Sequence, residues 1–232
     1  MSSLQDYVET EAQAGPKESV GEATYRRIRN DILFGRLAPG EKLRLERMKD
    51  AYGASISTLR ELLTRLTSEG IIVAEGLRGF QVAPISATDL REVADMRLLL
   101  ECHGLKASLQ NGELEWEGRV VAAHHKLSLL EKRMAEGDRS QTEMWKRYDR
   151  EFHHALISAC DSTALLETHA SIYDKYLRYQ MVAVIYRGDV AASEHRDLLQ
   201  AALARDWPTA QAVLVRHVQA SVEDTVAAGK VV

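Results

Sequence analysis

Apolar residues recur at intervals of three and four along most of this chain, interrupted near residues 71–84 by two short β-branched runs. From Val20, the positions Tyr25, Ile28, Ile32 and Leu33 mark one face of a helix that should stop near Gly35, ahead of the turn Leu37-Ala38-Pro39-Gly40. A second helix, about Leu45 to Tyr52, turns Met48 and Ala51 inward and ends at Gly53. Ser55 or Ser57 can cap a third, roughly Ser57 to Glu69, whose apolar face is Leu59, Leu62, Leu63 and Leu66 and which Gly70 terminates. The runs Ile71-Ile72-Val73-Ala74 and Phe80-Gln81-Val82-Ala83-Pro84 flank a Gly-containing turn and predict a hairpin. Beyond Pro84 the strand signal disappears. Residues 86–110, 115–136, 141–160, 163–187, 189–204 and 207–228 read as amphipathic helices. Their separators are Asn111-Gly112, Gly137-Asp138, Asp161-Ser162, Gly188-Asp189 and Asp206-Trp207-Pro208. Pro208 suits the first turn of the last helix.

Three short helices followed by a hairpin is the order of a winged helix-turn-helix, in which the third helix enters the major groove. Six helices joined by short loops make an antiparallel bundle. The expected fold is therefore mainly α, an N-terminal winged helix-turn-helix at residues 19–85 followed by an all-helical domain at 86–232. Residues 1–18 are polar, contain Gly15-Pro16 and show no sustained period, which predicts a mobile arm.

Size and composition agree with two compact units. The chain has 232 residues, 45% of them apolar and 28% charged, ordinary values for a globular protein and far from those of a disordered one. No apolar run approaches the ~20 residues that cross a bilayer, and the first twenty residues lack a basic start and an apolar stretch, so a cytoplasmic location is expected. Cys102 and Cys160 fall inside helical patterns and read as core residues rather than a disulfide framework. The net charge of −4 is unevenly spread. Residues 19–85 carry eleven Lys or Arg against eight Asp or Glu, whereas residues 86–232 carry eighteen against twenty-two. A basic first module on an acidic second one suits a protein that touches phosphate with one half only.

The first domain closely resembles the DNA-binding domain of the GntR family of bacterial regulators. The resemblance rests on the runs Ile32 to Leu43 (ILFGRLAPGEKL) and Gly53 to Leu66 (GASISTLRELLTRL), and on Glu69-Gly70-Ile71-Ile72-Val73. The all-helical remainder looks like the FCD subfamily, whose effector domain is a helical bundle. The family implies that Ser55, Ser57, Thr58 and Arg60 of the recognition helix approach DNA, with Arg78 and Gly79 at the wing tip. Hydroxyls at a helix N-terminus suit phosphate, and an Arg can grip a guanine edge or enter a narrow minor groove. One departure stands out: Ile56 occupies a position where the family usually has Arg. An apolar side chain there removes one base or phosphate contact and suits a thymine methyl.

Asp149 and His153, four residues apart, project from one face of a helix, and His195 and His217 sit on the predicted fifth and sixth bundle helices. The pattern is similar to that of metal-binding FCD proteins, which implies a divalent ion held by Asp149, His153, His195 and His217. Zinc suits three imidazoles and a carboxylate, with nickel or manganese as alternatives. His154 points about 100° away, and His103, His124, His125 and His169 have no matching partner. In the family the open coordination positions receive a carboxylate of an organic acid. Arg97 matches a family Arg that could pair with that ligand, or it could form a helix pair with Glu101. There is no Gly-rich phosphate loop, Gly-x-Ser-x-Gly elbow or His-Glu-x-x-His, so no enzyme is expected. The sequence thus predicts a homodimeric, ligand-responsive regulator, more in keeping with a repressor than an activator, that binds double-stranded operator DNA and a small carboxylate metabolite. The alternatives are a regulator that senses the metal itself, or a metal-dependent hydrolase or isomerase.

Overall fold

The computed structural model describes residues 19–76, 79–183 and 186–231. The arm expected at residues 1–18 and the wing residue Arg78 lie outside them. Within the described residues the elements run α1 (Val20–Leu33), β1 (Lys42–Leu43), α2 (Leu45–Tyr52), α3 (Ile56–Ser68), β2 (Ile72–Ala74), β3 (Phe80–Val82), then α4 (Ala87–Asn111), α5 (Leu114–Ala135), α6 (Thr142–Ile157), α7 (Thr163–Ala183), α8 (Gly188–Leu203) and α9 (Trp207–Ala227).

Local chemistry sets the boundaries. Ser19, Ser55, Ser86 and Asp206 cap α1, α3, α4 and α9, each side chain accepting a backbone N–H of the first turn. Gly53 ends α2 at φ 66, a left-handed conformation that a Cβ would strain, and so allows the tight turn into α3. The sixth expected helix segment, 141–160, ends earlier, at Ile157, because Cys160 N–H turns back to the Ile157 carbonyl and Asp161 adopts φ 55. The structure adds a strand: β1 joins the hairpin in a three-stranded antiparallel sheet of order β1-β3-β2, with Leu43 opposite Phe80 and Val73 opposite Gln81. Two residues are too few to show an alternation, so this pairing left no pattern in the sequence.

The head has its own core, in which Ile28, Leu59, Leu63, Leu66 and Val82 are fully buried. Each such side chain contributes on the order of 1.5–3 kcal/mol. A second, larger core fills the bundle around Leu90, Trp116, Val120, Leu127, Phe152, Tyr176 and Leu214. The two domains meet on α7. Leu33 and Phe34 at the end of α1 pack on Leu177 and Met181, while Arg29 of α1 reaches Asp174 and Arg178 donates to the Ala83 carbonyl in the interdomain connector. Both cysteines are free thiols, Cys160 buried and Cys102 partly so. No described helix is long and apolar enough to cross a membrane.

Candidate metal centre and nucleic-acid interface

The bundle closes on a cluster of ionisable side chains at its centre. Asp149 and His153 come from successive turns of α6, His195 from α8 and His217 from α9; all four are buried, and one candidate ligand atom from each lies within 4.8 Å of the others. The His195 and His217 ring centres are 4.6 Å apart, and those of His153 and His217 are 5.3 Å apart. Sequence spacing made only the Asp149–His153 pair visible; α8 and α9 supply the other two through antiparallel packing.

Each imidazole is aimed by a carboxylate on a neighbouring helix. His153 Nδ1 lies 2.9 Å from Glu101 of α4, His195 Nδ1 2.6 Å from Glu131 of α5, and His217 Nδ1 2.9 Å from Glu194 of α8. With Nδ1 donating to a carboxylate, the Nε2 lone pair of each ring is presented to the cluster centre. Two of these Nε2 atoms turn to Asp149 Oδ1, His195 Nε2 at 3.3 Å and His153 Nε2 at 3.9 Å, the latter buried without a hydrogen-bond partner among the described residues. Asp149 is anchored by the Tyr173 hydroxyl of α7 at 2.9 Å and faces Lys146 Nζ at 3.4 Å. His169, which the sequence left without a partner, lies 2.9 Å from Glu101 Oε1 and so braces the carboxylate that holds His153. Every helix of the bundle therefore contributes to this centre or its supports.

The electrostatics follow from burial opposed by charge. Burial pushes His153 down and takes His217 to about 3, which keeps both rings neutral and able to donate a lone pair. Burial opposes a proton on His195 as well, but the Asp149 and Glu131 carboxylates outweigh it and hold that ring at about 9. A divalent cation would take the place of that proton. Burial raises Asp149 and Glu101, yet Lys146 and His195 around the first, and Arg97 and His153 around the second, hold both carboxyls well below the usual range. Four buried carboxylates, Glu101, Glu131, Asp149 and Glu194, face the cations Arg97, Lys146 and Arg187, the more exposed Arg216 and the protonated His195 ring. Three imidazoles and the Asp149 carboxylate converging on one point fit a divalent cation, which would displace the His195 proton, and this donor set suits zinc.

Arg97, the residue expected either to meet an anionic ligand or to pair with Glu101, makes the pair. Its Nε is 2.7 Å from Glu101 Oε1, and its guanidinium lies over the rings of Tyr173 and Tyr176 at 4.4 and 4.7 Å. The small cavity beside the cluster, about 20 Å³, is instead bordered by the cations Lys146 and Arg187, together with Trp145, Gln180 and Ser221. Sequence reading missed Glu101, Glu131 and Glu194 as supports, and Lys146 and Arg187 as cavity cations. The signal for Glu131 exists only in three dimensions; Glu194, adjacent to His195, was visible but unremarkable.

The head presents a different surface. Ser55 caps α3, and its hydroxyl lies 2.8 Å from that of Ser57 and 2.9 Å from that of Thr58, a cluster of hydroxyls at the helix N-terminus. One cleft of about 870 Å³ runs from this end of α3 to the wing; Arg60, Ile56 and Gly79 line it with Lys42, Arg44 and Arg47. Of the residues expected at DNA, Arg60 and Gly79 line this cleft, Ser55, Ser57 and Thr58 cluster at the N-terminus of α3, and Arg78 lies outside the described residues. Lys42, Arg44 and Arg47 add positive charge that the sequence reading credited to the domain but not to these positions.

Comparisons with known proteins agree with this architecture. Residues 21–82 match the family described as bacterial regulatory proteins, gntR family, and residues 92–220 match the FCD domain. The chain is 37% identical over 206 residues, 88% of its length and 84% of the relative's, to the uncharacterized HTH-type transcriptional regulator BphR of Paraburkholderia xenovorans. It is 30% identical to the HTH-type transcriptional repressor GlaR of Escherichia coli, covering 83% of this chain and 90% of that one. Among solved structures it is similar to E. coli McbR/YncC, with a TM-score of 0.75 at 20% identity over 90% of this chain and 98% of that one. It is also similar to a putative GntR regulator from a Rhodococcus species, with a TM-score of 0.72 at 22% identity over 90% of this chain and 99% of that one. With both domains matched in order and the same two-part fold, the chain belongs to the GntR family of bacterial regulatory proteins, in its FCD branch, and is a DNA-binding transcriptional regulator of that type.

Proposed function

We propose that the chain is a ligand-responsive repressor, acting as a homodimer, whose bundle holds a divalent metal, zinc by its donor set, and a small organic acid that alters operator affinity. The observation that carries this reading is the buried cluster of Asp149, His153, His195 and His217, with its histidines aimed inward by Glu101, Glu131 and Glu194. Burying so many ionisable groups is costly unless a bound ligand uses them. A divalent cation bound there supplies an electrophilic site for a carboxylate. Arg97, tied to Glu101, acts on the ligand only by positioning that support, and Lys146 and Arg187 are the cations on its side of the centre.

In the head, Ser55, Ser57 and Thr58 meet phosphate at the N-terminus of α3, Arg60 reads a base edge or phosphate, and Arg78 and Gly79 bring the wing to the neighbouring groove. A dimer reads a pseudo-palindrome with paired half-sites. The name repressor carried by GlaR supports the sign of regulation. Helix α7 offers the route between the halves: Tyr173 bonds Asp149 while the next residue, Asp174, is bonded by Arg29 of α1. A ligand that prefers one placement of α7 therefore biases the placement of the head.

The test is a thermal-shift screen of carboxylic acids on zinc-loaded protein, followed by operator binding with and without the best stabiliser. One or more acids are expected to raise Tm and weaken operator binding at least fivefold. A panel without a stabiliser, or a stabiliser that leaves operator affinity unchanged, would contradict the reading.

A further inference from the structure

Among the described residues, α4 leaves one face uncovered. Met96 and Leu99 are 41% and 63% exposed, and Glu92, Asp95, His103 and Lys106 are exposed beside them. Positions 92, 96, 99, 103 and 106 recur at intervals of three and four, so they share one side of the helix, opposite the buried Val93, Arg97 and Leu105. Arg97 and Glu101 carry the ion pairs of α4 among the described residues, on the buried side, whereas Glu92, Asp95 and Lys106 have none there. An exposed apolar strip rimmed by charges that the chain itself does not pair marks a surface for another macromolecule.

The order of the charges specifies the occupant. Glu92 and Lys106 each stand seven residues from Leu99, one before it and one after, and Asp95 and His103 each stand four from it. An antiparallel copy of α4 crossing at Leu99 therefore sets Glu92 of one chain against Lys106 of the other, and Asp95 against His103, each pairing occurring twice. Such self-complementarity is what a two-fold axis demands. The other exposed apolar stripe, Leu114, Val121 and Leu129 on α5, has no free charges of this kind, because Lys126 and Glu117 beside it pair with Glu151 and Arg205 of the same chain. Pairing about Leu99 also suits the heads. Helix α4 follows β3 of the head after only four residues, and its first residue, Ala87, is twelve residues from Leu99, about 18 Å of helix. The two heads then leave the pair about 36 Å apart, which matches half-sites one DNA turn apart, ~34–36 Å. We propose that the exposed face of α4 is where two copies of this chain pair, antiparallel and centred on Leu99, with Glu92 of each meeting Lys106 of the other. The proposal rests on the homodimer reading above and adds its face and register.

The experiment is sedimentation equilibrium of the full-length protein over a concentration series at fixed salt. Leu99→Arg, a change at a largely exposed position, brings two guanidinium groups together on the two-fold axis. It is expected to weaken the dimer at least thirtyfold and to leave the helical circular-dichroism signal unchanged. Glu92→Lys and Lys106→Glu should each weaken it fivefold or more, by setting like charges opposite one another. The double variant Glu92→Lys/Lys106→Glu restores opposite charges and should return the affinity to within threefold of the natural chain's. Val121→Arg, on the α5 stripe, should leave association unchanged. A natural chain that stays monomeric at every concentration would overturn this face and the homodimer reading together. A dimer that withstands Leu99→Arg, a dimer lost in Val121→Arg, or single reversals that the double variant does not repair would overturn the face and its register, and leave the homodimer reading standing.

Discussion

The two domains keep their chemistry in opposite places. In the head, Arg44, Arg47 and Arg60 stand exposed around an open cleft. In the bundle, Arg97, Glu101, Glu131, Lys146, Asp149, Glu194 and three histidines are buried against one another. A surface cation costs almost nothing to keep, and meets its phosphate partner by attraction at a distance. A buried charge costs several kcal/mol unless paired, and a buried pair often fails to repay that cost in stability. The head is therefore a fold with its candidate chemistry on the surface, whereas the bundle keeps its candidate site in the core.

That contrast can be broken at both ends. The largest effect is expected in the bundle. Glu131→Ala leaves His195 Nδ1 without its acceptor and should lower zinc affinity about 10–100-fold. Glu131→Gln, which keeps an acceptor oxygen, should recover part of that loss. Both are read by competition with a chelating dye, and zinc affinity unchanged in Glu131→Ala would show that the ring needs no such support. Arg60→Ala should weaken operator binding by about 1–3 kcal/mol, roughly 5–150-fold, in a fluorescence anisotropy titration. Zinc affinity of that variant should stay the same. A loss of metal in Arg60→Ala would mean that the two regions are not separable in the way their burial suggests.

The same contrast explains what could be read in the chain. Helix positions were legible because each helix repeats its own apolar period and ends on a local device, such as Ser55, Gly53 or Asp206. Strand β1 was not, because Lys42 and Leu43 are extended only through pairing with Gln81 and Phe80. At the cluster, Asp149 and His153 announce themselves by lying four residues apart on α6, and the family resemblance added His195 and His217. Glu101 and Glu131 could not be found in this way. Each sits on an amphipathic helix where a carboxylate ordinarily faces water, and only helix packing turns it onto an imidazole. Arg97 shows the limit of a pairing argument: the same guanidinium suited a ligand or Glu101, and the nearer carboxylate takes it.

The measurement that bears most directly on the metal-centred sensor is the zinc content of purified full-length protein, by elemental analysis after dialysis against trace zinc, compared with the His195→Ala/His217→Ala double variant. A sensor built on these four ligands requires about one zinc per chain in the natural protein, less than a tenth of that in the variant, and a lower Tm in the variant that added zinc does not restore. Equal zinc in the two proteins, or none in either, would contradict it.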